Sequence, residues 1–257
     1  MHKNKFTILG SGTSSGVPTI GCCCPTCVSD DSRDRRLRCS LLIESASAAV
    51  VIDTSSDFRQ QMLQYNVKSL DGVVFTHHHF DHIGGFDDIR AFNFIMDKPL
   101  SIFANETTLK HLRRIFEYAF TKPVQTGGGV PEIIINDIGD NRFRIKDIEI
   151  TPIPLFHGSL KVLGFRIGNF AYCTDTNNIP ESSLELLKGL EVLILDGLRY
   201  TKHPTHFSIN EAIETINILK PEKAYLTHIS HDIKHQEAEN CLPENIFLAY
   251  DGIIFEL

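Results

Sequence analysis

A short β-rich run, Gly72–Thr76, breaks out into His77-His78-His79-Phe80-Asp81-His82 and then a Gly84-Gly85 turn. A strand end fixes the backbone, and a turn just after it aims several short side chains at one small volume. Any fold of this chain must therefore leave a strand end open onto a polar cleft at this point. Imidazole and carboxylate at these spacings suit zinc, and equally manganese or iron. A polyhistidine surface loop is the alternative, but the hydrophobic strand and the glycine turn frame the run too tightly for that.

One run of six residues cannot surround two ions, so partners are expected elsewhere. His157 follows Ile153–Phe156, Asp175 follows the run Ala171–Thr174, and His228 follows Leu226-Thr227. Each is a lone ligand-type residue just past a strand-like run. Singly, any of them would read as a capping or satisfied polar residue; together with the motif they read as one constellation.

The remaining pattern is mixed. Phe6–Leu9, Leu41–Glu44 and Ala49–Asp53 read as further strands, as do Glu132–Ile135, Ile148–Ile153 and Val162–Ile167. Ser56–Tyr65 reads as a helix capped by Ser55 or Ser56, and Asn105–Ala119 as a second, with Leu109, Leu112, Ile115, Phe116 and Ala119 in helical spacing. Then come strand Val192–Leu195, helix Ile209–Leu219, strand Lys223–Thr227 and strand Ile253–Glu256. No repeat, low-complexity tract or linker divides the chain, so residues 1–257 are expected to form a single α+β domain of packed sheets with helices outside.

A formal charge of -7 argues against a broad nucleic-acid-binding face. The densest basic stretch, Arg33–Arg38, also holds Asp34 and reads as a solvated surface segment or, failing that, a substrate-facing patch. No apolar run is long enough for a membrane span, and the polar N-terminus shows no secretory signal. Four of the seven cysteines crowd into Cys22–Cys27, which suggests a metal site in a reducing compartment and a cytoplasmic protein. Cys39, Cys173 and Cys241 read as ordinary buried or surface cysteines, and His2, His111 and His235 as surface residues.

His77-x-His79-x-Asp81-His82, followed in order by His157, Asp175 and His228, resembles the metallo-β-lactamase superfamily over nearly the whole chain. The resemblance implies an αβ/βα four-layer sandwich with two divalent ions, zinc or manganese, in a cleft at one edge of the sheets. It implies one ion held by His77, His79 and His157 and a second by Asp81, His82 and His228, with Asp175 bridging. His79 stands where a redox branch of the superfamily has glutamate, which favours hydrolysis.

Cys22-x-Cys24-x-x-Cys27 together with His231 is similar to the phosphoribosyl cyclic phosphodiesterases of phosphonate breakdown (PhnP), whose three cysteines and one histidine hold a structural zinc. Such a closed site would pin the loop at 21–27 to the segment carrying His228. Cys23 is an additional residue that could replace a neighbour as ligand. His203-Pro204-Thr205-His206 contains the third feature. In those enzymes a histidine at the spacing of His206 before His228 acts in catalysis, while His203 has no assigned role beyond supporting the loop. The expected activity is hydrolysis of a small phosphodiester, with a cyclic diester favoured, by metal-bound hydroxide, oriented by Asp81, with His206 protonating the departing oxygen. The expected partner is a small-molecule substrate; family resemblance allows a homodimer. A tRNA 3′-processing nuclease and a thioester or lactone hydrolase share the motif and remain alternatives, and residues 120–131 offer a loop that could cover substrate.

Overall fold

The computed structural model describes residues 3–121 and 129–257, so His2 and most of the expected covering loop lie outside the described residues. Two seven-stranded mixed sheets face each other. The first runs in the order Ile254–Glu256, Lys5–Gly10, Ser40–Glu44, Ala49–Ile52, Gly72–Val74, Leu100–Ala104, Ile133–Asp137. The second runs Ile246–Leu248, Lys223–Thr227, Val192–Asp196, Phe170–Cys173, Leu160–Ile167, Ile148–His157, Phe143–Ile145.

Alternation along these strands makes four layers. Phe6, Ile8, Leu41, Ile43, Val50 and Ile52 from one sheet pack against Ile148, Ile150, Phe165, Phe170, Tyr172 and Ile194 from the other. The opposite face of the first sheet buries Leu42, Val51 and Val73 under helices Phe58–Gln64, Arg90–Met96 and Glu106–Ile115. The opposite face of the second buries Leu193, Leu195 and Leu226 under helices Glu181–Leu186 and Ile209–Leu219. This is the metallo-β-lactamase sandwich expected above. No helix among the described residues is long and apolar enough to cross a membrane.

Within each sheet the four strands running out to one edge are parallel: Ala49–Ile52, Gly72–Val74, Leu100–Ala104 and Ile133–Asp137 in the first, Phe170–Cys173, Val192–Asp196, Lys223–Thr227 and Ile246–Leu248 in the second. Their carboxyl ends point to a common edge, where open α/β sheets gather ligand-binding side chains.

Several expectations need correction. The second helix divides at Phe116 into Glu106–Ile115 and Glu117–Phe120. The first begins at Phe58 behind Asp57, and Ser55 Oγ accepts from the Asp57 N–H rather than capping the helix itself. The basic stretch is not a solvated segment. Arg36 is only 2% exposed, donating to Ser11 Oγ at 3.0 Å and lying 2.9 Å from His235 Nδ1, while Arg38 pairs with Asp57. His235 is likewise buried rather than at the surface, and His111 stacks on His78 with ring centroids 3.7 Å apart.

Candidate metal centre and active site

Every ligand expected for the catalytic pair lies at the carboxyl end of a strand or on the chain that leaves it. His77 and His79 follow Gly72–Val74, and Asp81 and His82 lie on a one-turn helix, Phe80–Ile83, that the motif itself forms. The turn closes because Gly85 has no side chain: a Cβ there would meet Ser55 O at 2.3 Å. His157 ends its strand, Asp175 follows Phe170–Cys173, and His228 follows Lys223–Thr227. Asp175 and His228 adopt the left-handed backbone conformation (φ 52° and 60°), strain that the surrounding structure holds in place around the cleft.

The side chains converge as two groups. His77, His79, His157 and Asp175 bring their ligand atoms within 4.8 Å of one another, and so do Asp81, His82, Asp175 and His228. Asp175 is common to both: its Oδ2 lies 3.8 Å from His77 Nε2 and 3.4 Å from His228 Nε2, and its Oδ1 lies 3.2 Å from His82 Nε2. His78 and Phe80 stand outside both groups.

The donor set fits divalent cations. The Nε2 atoms of His77, His82 and His228 are buried and lack any hydrogen bond of acceptable geometry, which would be costly for a site meant to stay empty of ligand. The remote nitrogens of three ligand histidines are engaged: His82 Nδ1 on Asp53 Oδ2 at 2.7 Å, His77 Nδ1 near Thr76 Oγ1 at 3.0 Å, and His157 Nδ1 on the Thr205 carbonyl at 2.7 Å, whereas His228 Nδ1 is buried without a partner. A ring anchored through Nδ1 with a bare Nε2 is how histidines are held for metals. Burial drives His77, His79 and His157 below the ordinary imidazole range. At His228 burial pulls the same way, but Asp175 and Asp81 outweigh it and lift the imidazole to about 9. The same carboxylate field would attract metal cations.

A third group adjoins these. His206 Nδ1 lies 2.6 Å from Asp196 Oδ2, which also accepts from the Thr176 N–H at 2.8 Å. The His206 ring stacks on His228 at 4.5 Å and 13°, and meets His157 edge-on at 4.5 Å. Asp53 and Asp196 were not singled out in the sequence. The available signal was position, since each stands at a strand's carboxyl end as Asp175 does.

On the far side of His228, Cys22, Cys24 and Cys27 place their Sγ atoms 3.2, 3.5 and 3.6 Å from His231 Nδ1. A backbone hydrogen bond leads the contacts that lower the Cys24 thiol to about 6, which favours the metal-binding thiolate there, while burial pushes the neighbouring Cys27 thiol up to about 11. Cys23 is exposed and stands apart from this group. Between the two centres, Thr13 N–H donates to Ile229 O and Ile229 N–H to Ser11 O, tying the N-terminal arm to the segment of His228. Cys39 and Cys173 are buried and Cys241 is exposed, as expected.

The model of the beta-lactamase superfamily domain matches residues 49–229. A diphosphatase of the PhnP family superposes with a TM-score of 0.93 at 39% identity, over 99% of this chain and 97% of that one. An octanoyltransferase of Porphyromonas gingivalis (strain ATCC BAA-308 / W83) is 40% identical over 253 residues. That match takes in 97% of this chain but 51% of the relative, so the chain spans about half the length of the curated protein it resembles. Zinc-bound PqqB from Methylobacterium extorquens (TM-score 0.79, 17% identity, 98% of this chain and all of that one) shares the fold. So does the short form of human tRNase Z (0.68, 16%, 98% of each).

Proposed function

Because the chain belongs to the metallo-β-lactamase superfamily, we propose that it is a metal-dependent hydrolase of a small phosphodiester, with a cyclic diester as the favoured substrate. The observation that carries this reading is the His206–Asp196 pair. It sets an imidazole beside both ligand groups without occupying the shared carboxylate between them.

His77, His79 and His157 would hold one divalent ion and Asp81, His82 and His228 a second, with Asp175 on both. Zinc and manganese both suit this set. Ions held there supply acidified water and neutralise phosphoryl charge. The chain does the rest. Asp53 and the Thr205 carbonyl fix the ring planes of His82 and His157. Asp81, with Oδ2 within 3.6 Å of His228 Nε2 and 3.4 Å of His82 Nε2, keeps an acceptor facing the place of attack, where it orients the incoming water. Asp196 holds the proton of His206 on Nδ1, so Nε2 is the atom that passes a proton to the departing alkoxide. Cys22, Cys24, Cys27 and His231 would hold a structural zinc that steadies the His228 segment.

The similarity to a PhnP-family diphosphatase over nearly the full length supports phosphoryl chemistry. The octanoyltransferase name belongs to a protein about twice as long and supports a second, acyl reading, in which the same centre opens a thioester. A net charge of -7 disfavours a nucleic-acid substrate. The cluster of four close cysteines fits a reducing cytoplasm, and a homodimer fits the family.

The test is metal analysis of gently purified protein together with turnover of bis(p-nitrophenyl) phosphate, a 2′,3′-cyclic nucleotide and octanoyl thioesters. About three metals per chain with diester cleavage supports the proposal. Thioester cleavage with inert diesters would replace it by the acyl reading.

A further inference from the structure

The segment from Arg199 to Ser208 is a closed loop, its ends joined by a bridge between these two residues. It is fastened to the metal cleft at successive positions. Asn177 Nδ2 donates to the Pro204 carbonyl at 2.9 Å, His157 Nδ1 lies 2.7 Å from the Thr205 carbonyl, and His206 binds Asp196. Gly158, at φ +63°, lets the loop approach this closely, since a Cβ there would stand 2.9 Å from Thr205 Cγ2.

His203 opens this fastened stretch. Its ring lies 5.1 Å from that of His206, half-buried rather than packed into the core. Two contacts converge on its Nδ1: the Thr205 N–H at 3.4 Å and the Thr205 hydroxyl at 3.2 Å. A backbone N–H can only donate, so Nδ1 is an acceptor and the neutral ring carries its proton on Nε2. Among the described residues that proton has no hydrogen-bond acceptor. Burial, with the neighbouring His206, lowers the ring's pKa, which favours this neutral form.

We propose that His203 is a substrate-binding residue whose Nε2–H donates to a non-transferred anionic oxygen of the phosphoryl group, beside the leaving oxygen served by His206. This rests on the phosphoryl reading above. It divides the loop's work: one histidine moves a proton, the other grips charge.

Asparagine places an acceptor where Nδ1 stands and so keeps the Thr205 contact, but it has no donor at Nε2; glutamine reaches the Nε2 position. Metal-loaded wild type, His203→Asn, His203→Gln and His203→Ala should be compared on bis(p-nitrophenyl) phosphate and in calorimetric titration with inorganic phosphate. Long-range 15N–1H spectra of histidine-labelled protein would report the tautomer. The expected result is an Nε2–H signature lost in His203→Asn, with metal content unchanged. KM and the phosphate Kd should rise about tenfold to a hundredfold in His203→Asn and His203→Ala while kcat stays within about threefold, and His203→Gln should recover part of the loss. Wild-type KM and phosphate affinity in His203→Asn would show that the ring only braces the loop, and an Nδ1–H tautomer would overturn the geometry. A wild type that neither cleaves diesters nor binds phosphate would instead bring down the phosphoryl reading, and this proposal with it.

Discussion

Asp53 is the sharpest place to perturb the centre without touching a ligand. It is fully buried, and its φ of 63° lies where asparagine is among the few tolerated side chains, so Asp53→Asn leaves the backbone unstrained. The carboxylate serves three donors: Oδ2 takes Thr76 Oγ1 at 2.7 Å and His82 Nδ1 at 2.7 Å, and Oδ1 takes the Thr76 N–H at 2.8 Å. An amide can keep its oxygen on the first two, but its NH2 then faces the Thr76 N–H, donor against donor. One buried unsatisfied pair costs about 1–3 kcal/mol of folding stability. The neutral amide also stops supporting His82 as a ligand, which should weaken metal binding about 10–100-fold, or about 1.4–2.8 kcal/mol. Urea unfolding of the metal-free protein reads the first quantity, and competition against a zinc-binding dye the second. An Asp53→Asn variant that binds the catalytic pair as tightly as wild type would refute the idea that this carboxylate tunes the site.

His206→Ala should keep its full metal content yet lose about 10²–10⁴ in turnover of diesters; unchanged turnover would remove His206 from proton transfer. His231→Ala should lose one metal per chain, keep the catalytic pair, and melt roughly 5–10 °C lower, as read by metal analysis and calorimetry. The last concerns pH. Burial, with Arg36 beside it, lowers His235 to about 4 in the folded protein. The unfolded chain therefore binds the extra proton first, and stability falls as pH drops from the ordinary histidine value toward 4. That loss amounts to at most about 3 kcal/mol. Arg36, Asp34 and Glu239 also face this ring, so the measurement is a difference: wild type should lose that much more than His235→Gln between pH 7 and 4 in urea unfolding. Parallel pH curves would exclude the effect.

How much of this was readable in the chain varies by residue, for physical reasons. The ligands were legible because each stands at the end of a hydrophobic run, where local pattern predicts both the strand and the exit from it. Asp53 and Asp196 occupy equivalent places, but an aspartate after a strand is ordinary turn chemistry, and only the imidazole it meets shows its purpose. His82 lies 29 residues from Asp53, a pairing that no local window contains. Arg36 and His235 failed more completely. A basic run looks solvated unless a partner can satisfy it in the interior, and here the partner is 199 residues away. The one-turn helix Phe80–Ile83 was hidden by its own motif, since four residues carry no periodicity.

The cysteine cluster has a consequence for how the molecule comes apart. Cys22 and His231 are separated by 209 positions. A metal shared between them would close the chain into a ring that contains every catalytic ligand from His77 to His228. Outside it lie, among others, the strands Lys5–Gly10 and Ile254–Glu256, which pair with each other at one side of the first sheet. Closing so long a loop removes about 5 kcal/mol of unfolded-state entropy in a chain-entropy estimate. More specifically, it sets a stop. Fraying that begins at these outer strands would run inward only as far as the clip, and the active centre would be lost by global unfolding rather than by peeling of the outer strands.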